Sequence, residues 1–338
     1  MQVVRVDPFD EADFDRWFAV VRQADRELWP DFPGWQRAER LAQLRNEDGP
    51  EQHVGFVAVD DGAVVGTADL EMFRRENQHV ARVNIAVPRV LQRRGVGTAL
   101  LAAVEAEARA TGRTELGGMD DTPVRPDYVD TAKPFAERHG FEPALEFAKW
   151  RIVLPLSPES MLALQQNPKA TPAGYSLLIF GDRWPDEWMA DRCELGRRMS
   201  TDIPMGDMDL DEELWDEARV RQIEASLDEQ NRDKVSAVAR HDATGRLVAY
   251  SEVVVPRGAP ESAWQHDTLV MREHRGHGLG FAVKVANLAA VAERFPRTTS
   301  ISTFNAAVNA HMIAINEEIG FEVISTAVYW LKKLGPAT

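Results

Sequence analysis

The sequence predicts an α/β fold built twice in tandem. Three observations predict it: a glycine-spaced loop present in two copies, strand-length apolar runs ahead of each copy, and a helical run behind each. Gln92-Arg-Arg-Gly95-Val-Gly97 recurs 183 residues later as Arg275-Gly-His-Gly278-Leu-Gly280. Val87 and Val270 stand five residues ahead of the two copies, and Gly62 matches Gly245 at the first offset. Further on, Gly140-Phe-Glu with Trp150 returns as Gly320-Phe-Glu with Trp330, 180 residues later. Chance supplies any one match; the ordered series marks a duplication in which one loop or helix differs in length.

In the first copy, residues 54–60 and 63–70 flank Asp61-Gly62, a strong hairpin signal. Residues 80–87 form a third strand. The glycine loop then opens a helix from Thr98 to Ala110, ended by Gly112. In the second copy, 235–240 and 246–255 make the hairpin and 266–270 the next strand. A helix runs from Leu279 to Arg294 with Pro296 beyond it, then a strand covers 300–304 and a helix covers 309–318, stopped by Gly320. The 338 residues suit two domains. The expected boundaries are 1–154 and 175–338, with the proline-rich stretch 155–174 as linker, its middle holding one helical turn.

Composition narrows the partners. The chain carries 39 basic and 54 acidic residues, and both halves are acidic: residues 1–155 hold 20 basic and 27 acidic side chains. That balance disfavours nucleic acid and favours small cationic molecules. No stretch reaches the ~18 uncharged apolar residues of a membrane span, so no membrane partner is expected, and the N-terminus lacks a secretory layout. A single cysteine, Cys193, excludes an internal disulfide or a multi-cysteine metal site. The expected setting is the cytoplasm, as a monomer or homodimer, with no metal.

A strand followed by Gln/Arg-x-x-Gly-x-Gly and a helix has a physical purpose. The glycines allow positive φ and close approach, and several N–H groups converge at a helix N-terminus on an anionic group. The loop lacks the Gly-Lys-Ser/Thr ending of a Walker A loop and the spacing of a dinucleotide fingerprint. It resembles the loop of the GCN5-related N-acetyltransferase (GNAT) superfamily, and the resemblance covers both halves. As a two-domain chain it is similar to the tandem acetyltransferases typified by mycothiol synthase. The resemblance implies two GNAT-like domains, each a mixed, mostly antiparallel sheet flanked by helices, with acetyl-CoA as cofactor. It implies that residues 275–280 (Arg275, Gly276, His277, Gly278, Leu279, Gly280) and 92–98 (Gln92, Arg93, Arg94, Gly95, Val96, Gly97, Thr98) hold the pyrophosphate. Val270 and Val87 would offer a backbone N–H to the thioester carbonyl, and Asn305 and Asn309 would border the second cofactor site.

The family's tyrosine acid, seven residues after its asparagine, corresponds to Asn316. Asparagine donates a hydrogen bond but cannot protonate a thiolate, a tolerable leaving group at a reference pKa of ~8.5. In the first copy the asparagine and tyrosine positions are Val129 and Ala136, so the second domain is the expected catalyst. Its acceptor would be a primary amine of a small molecule, which must lose a proton to a carboxylate or water. Glu252 aligns with Asp69 and Asp267 with Asn84, so only the second copy carries acids at both positions. Glu252 or Asp267 is the expected base, although strand alternation also allows Glu252 to face solvent. Eight acids and no lysine or arginine fall in residues 199–218, and Asp202, Met205, Asp207 and Asp209 are expected to line the acceptor mouth. Two rivals remain open: aminoacyl or other acyl transfer on the same fold, and a non-catalytic acyl-CoA sensor.

Overall fold

A parallel strand pair in an otherwise antiparallel sheet is the feature around which each half of the molecule is built. The computed structural model describes residues 1–202 and 210–335. In chain order the elements are β1 (Gln2–Arg5), α1 (Glu11–Leu28), α2 (Arg37–Arg45), β2 (Glu51–Asp60), β3 (Ala63–Phe73), β4 (Val80–Ala86), α3 (Val96–Ala110), β5 (Glu115–Met119), β6 (Thr122–Pro123), α4 (Ala132–Arg138) and β7 (Glu142–Val153). There follow α5 (Pro158–Gln166), β8 (Tyr175–Phe180), α6 (Met189–Asp202), α7 (Glu217–Glu229), β9 (Arg232–His241), β10 (Leu247–Pro256), β11 (Ser262–Val270), α8 (Leu279–Arg294), β12 (Ser300–Ala306), α9 (Ala310–Ile319) and β13 (Glu322–Lys333). Among the described residues no helix is long and apolar enough to cross a membrane.

Local chemistry sets the boundaries. Asp61 and Gly62 both take positive φ, 47° and 79°, as the two-residue β2–β3 hairpin requires. Asp10 caps α1 by accepting from the amides of Ala12 and Asp13. Helices α3 and α8 each begin at a left-handed glycine, Gly95 and Gly278, and α9 ends at Gly320 with φ 101°.

The chain forms two compact units, Met1–Glu146 with the segment from Thr326, and Phe147–Ser325. The first unit's sheet runs β1-β2-β3-β4-β5-β13, with only β4 and β5 parallel. Its α3 packs Leu100, Leu101 and Val104 over Leu70, Met72 and Leu116 on one face, while Phe14 and Trp17 of α1 cover the other. The second unit's sheet runs β8-β9-β10-β11-β12-β7, with only β11 and β12 parallel. There α8 packs Phe281, Val285 and Leu288 over Val253 and Ile301, and Trp184, Leu195 and Tyr250 fill the opposite face.

These units differ from the boundaries expected at 154 and 175. Strand pairing is the reason: Phe147 to Val153 pair with β12, whereas Tyr329 to Lys333 pair with β5. The repeat's two tryptophans are thereby exchanged, Trp150 lying in the second unit's core and Trp330 in the first's. Nor is 155–174 a bare linker. It holds α5 and a short 3-10 turn, Pro168–Ala170, and Ala170 is buried in the second unit's core.

The exchanged tryptophans are not equivalent. Trp330 donates its indole N–H to Asp120 at 2.8 Å, whereas the buried Trp150 indole N–H has no partner among the described residues. Trp330→Phe therefore leaves a buried carboxylate short of a donor and should cost ~1–3 kcal/mol. Trp150→Phe sacrifices packing alone and should cost less. Urea titrations of the two variants check the order.

Candidate active site

The two glycine loops share a backbone but not their surroundings. In each, two left-handed residues alternate with ordinary ones: Arg93 (φ 62°) and Gly95 (84°), then Gly276 (83°) and Gly278 (77°). Such alternation turns successive N–H groups toward one concavity ahead of a helix. The residue opening each loop ties back to the strand. Gln92 donates to the Val87 carbonyl at 3.1 Å and Arg275 to that of Val270 at 3.2 Å.

The first loop is open. A Cβ placed on Gly95 would meet nothing within 4 Å. Arg93 and Arg94 are exposed. The β4–β5 pairing stops at Arg82 and Gly117, so the strands diverge beside the loop. A cavity of about 540 Å³ lies there, lined by Val83 to Ile85, Gly118 to Asp120, Leu101 and the loop residues Gln92, Arg93, Gly95, Val96, Gly97 and Thr98. Loop amides, two arginines and a long apolar slot fit the diphosphate and the chain of a coenzyme A thioester.

A second cavity, about 410 Å³, lies on the other side of the same wall. Asn84, Ile85, Val87, Gln92 and Thr131 line both. Its lining is acidic and aromatic: Asp25, Glu27, Glu51, Asp69 and Glu71 against Arg40 and Arg89, with Trp17, Trp35 and Tyr128. At its base Asp69 accepts from Arg40 at 2.6 Å and meets His53 Nδ1 at 3.2 Å. Burial alone would raise the Asp69 carboxyl, but Arg40 and His53 outweigh it and hold the carboxyl well below the usual range. Burial likewise works against a charged His53, yet Asp69 and Glu71 outweigh it and lift the imidazole above its ordinary value. No sequence feature had singled out His53.

The second unit places the expected catalytic groups differently. Glu252 is buried, paired with Lys234 at 3.1 Å and Arg192 at 3.8 Å, and accepts from Trp184 Nε1 and Ser236 Oγ. Burial would raise its carboxyl, but the two cations hold it well below the usual range. Its oxygens are engaged, so it is a poor proton acceptor, contrary to expectation. Asp267 is half-buried, accepts from Tyr250 at 3.3 Å, and is pushed up to about 6 by burial and the Glu252 charge. Asn316 is fully buried and donates to Asn305, while Asn309 caps α9.

The second loop is covered at Gly278, while Arg275, Gly276 and His277 are exposed. A Cβ on Gly278 would lie 2.9 Å from Lys169 Cβ, and one on Gly280 2.9 Å from Ile315. His277 lies tilted against Tyr175 with ring centres 5.5 Å apart, Leu279 is buried, and Arg275 donates to the Asp202 carbonyl. Asp202 itself is buried, with Arg272 at 3.0 Å and Arg198 and Arg275 at 3.9 Å, which removes it from the expected acceptor mouth. Met205, Asp207 and Asp209, the rest of that expectation, lie outside the described residues. Cys193 packs in the second unit, where burial pushes its thiol up. Among the described residues no cluster of three or more His, Cys, Asp or Glu is placed to hold a metal.

Splayed sheets with this loop at the parted strands define an acyltransferase fold. The acetyltransferase (GNAT) family model matches residues 20–141. A tandem GNAT protein from the clavulanic acid biosynthesis pathway matches with 28% identity over 100% of this chain and 99% of its own, at TM-score 0.80. A GCN5-related N-acetyltransferase from Sphaerobacter thermophilus shares the fold at 16% identity, 100% and 96% coverage and TM-score 0.66. So does the glucosamine N-acetyltransferase region of a fungal multi-domain beta-N-acetylglucosaminidase, at 16% identity, 98% and 38% coverage and TM-score 0.67. No curated protein sequence matches. The first unit thus carries a match to the acetyltransferase (GNAT) family, and the whole chain is similar in fold to a tandem GNAT protein.

The second unit's interior also differs in polarity. Where Leu101 and Phe141 line the open slot of the first unit, the repeat places Lys284 and Phe321, the ammonium 4.9 Å from the ring. Burial pulls Lys284 down to about 7. Between pH 7 and the ordinary lysine value the unfolded chain holds a proton that the native chain does not, so native stability rises with pH across that window. Lys284→Met should therefore stabilise the protein near pH 7, by roughly 1–4 kcal/mol. The advantage should shrink toward pH 10, as guanidinium unfolding at the two pH values would reveal.

Proposed function

We propose that the chain transfers the acetyl group of acetyl-CoA to a primary amine of a small cationic molecule, and that the first unit, not the second, carries the reaction. The observation that carries this reading is the wall shared by the first unit's two cavities: a ligand anchored on residues 92–98 ends where the acidic cavity begins. Acetyl-CoA, when bound, supplies the acyl group already activated as a thioester. The chain's residues do the rest. The loop amides with Arg93 and Arg94 anchor the diphosphate, and the Val87 N–H offers a donor to the thioester carbonyl.

The acidic lining draws in an ammonium, and one proton must leave before the nitrogen can attack. His53 takes that proton. Asp69 engages Nδ1, which fixes the ring and leaves Nε2 as the accepting atom. Strand register supports the choice of unit. Asp69 pairs with Gly55 and Glu252 with Ser236, so two residues earlier His53 corresponds to Lys234. An imidazole that can accept a proton is matched by an ammonium locked in an ion pair.

Because His53 must be neutral to act, kcat/KM should rise with pH through a limb above 6.5. His53→Gln should abolish the limb and lower the rate by ~10²–10⁴. Asp69→Asn removes the charge that favours the imidazolium, so its limb should move to lower pH. A wild-type pH profile in His53→Gln would eliminate this base.

The acidic lining has its own signature. Glu27→Gln with Glu51→Gln should raise the acceptor KM at low salt and leave the acetyl-CoA KM unchanged. The difference should fade at physiological salt, where screening acts beyond ~8 Å. Initial-rate kinetics at two ionic strengths read both constants.

A further inference from the structure

The second phosphate loop has the backbone of the first and a cover that the first lacks. Residues 157–170 leave β7, form α5, and end in the turn Pro168–Ala170, whose Lys169 lies directly on the loop. Lys169 Cα and Cβ would be 3.2 and 2.9 Å from a Cβ on Gly278, whereas the equivalent Gly95 meets nothing. These are the root atoms of Lys169, not a movable side-chain tip, so the turn itself lies against the loop at Gly278.

The cover is held most firmly at its turn, with Met161 and Leu164 of α5 only partly buried against the second unit's core. Lys169 Nζ reaches both Glu318 oxygens, at 2.9 and 2.7 Å, and Asn167 donates to the same carboxylate at 3.1 Å. Ala170 is buried beside Phe281 and Val285. By contrast α5 buries none of its residues. Side chains at the loop are also engaged within the second unit: Arg275, though exposed, reaches the Asp202 carbonyl, and His274 meets the Tyr175 hydroxyl at 3.0 Å. Arg93 and Arg94 of the first loop form no ion pair among the described residues.

We propose that residues 157–170 are an intramolecular plug of the second phosphate loop. The native chain then binds one coenzyme A rather than two, and the second unit holds a latent diphosphate site that opens when the Lys169–Glu318 anchor is released. An exposed ion pair contributes little to stability, so release requires only a small perturbation.

The inference rests on the first unit being the one that binds coenzyme A, and amide hydrogen exchange on the full chain separates the two claims. Saturating coenzyme A should protect residues 92–98 and leave 275–281 unchanged. Absent protection at 92–98 would overturn the assignment of the first unit; protection at 275–281 would overturn the plug. Calorimetry with coenzyme A should give one equivalent for the native chain and none for Thr98→Glu, which sets a carboxylate at the first loop. Lys169→Gly with Glu318→Ala should gain a second equivalent. A released, folded chain that still binds a single equivalent would overturn the plug. Should that variant fail to fold, the exchange pattern of the native chain decides.

Discussion

A parallel strand pair that stays in register for three residues and then parts is the constraint on which the rest of this structure depends. In the first unit Val80 to Arg82 pair with Glu115 to Gly117, and beyond them the strands have no common ladder. Diverging strands open a slot into the sheet, and β4 runs out of that slot into a loop whose left-handed residues turn their amides into one concavity. The slot, the turned loop amides and the wall shared by the two cavities thus all follow from one interrupted pairing. The helix α3 can begin where it does because Gly95 accepts the conformation the turn demands.

Duplication copied this frame and left its chemistry free to diverge. Both units bury a carboxylate on the second strand of the hairpin, and both satisfy it with cations: Asp69 with Arg40 and His53, Glu252 with Lys234 and Arg192. A buried charge without partners would be strongly destabilising, so neither carboxylate is free to change alone. What changed is the partner. A histidine can gain and lose a proton near neutral pH while its neighbour stays ionised; a lysine in the same place makes a permanent pair. The slot diverged likewise, with Lys284 and a turn of main chain in the second unit where the first keeps apolar walls and open space.

The sequence carried the frame clearly because the frame depends on local rules. Glycine spacing, the Asp61-Gly62 hairpin, the start of α8 at Leu279 and the stop at Gly320 are decided by nearby backbone conformation, and each lies in the structure within a few residues of its expected place. The choice of acids was not legible for the opposite reason. Glu252 and Asp69 align in the repeat, but whether a strand carboxylate faces a cleft or a buried cation depends on Lys234, Arg192 and Arg40, far away in the chain. His53 stayed hidden because its equivalence with Lys234 exists only through the strand register. The cover of the second loop was hidden too, since proline-rich residues 155–174 read locally as a linker and only their packing on Gly278 gives them another meaning.

The exchange of closing strands ties the order of synthesis to the chemistry. Asp120 lines the slot of the first unit, and both of its oxygens are held by β13, from the Val328 amide and the Trp330 indole. A ribosome that has delivered the whole first half has therefore not delivered what that half needs to finish its slot. The nascent unit waits, sheet edge open, until Thr326 to Lys333 emerge. A chain interrupted before Val328 therefore carries both glycine loops intact and one unfinished slot.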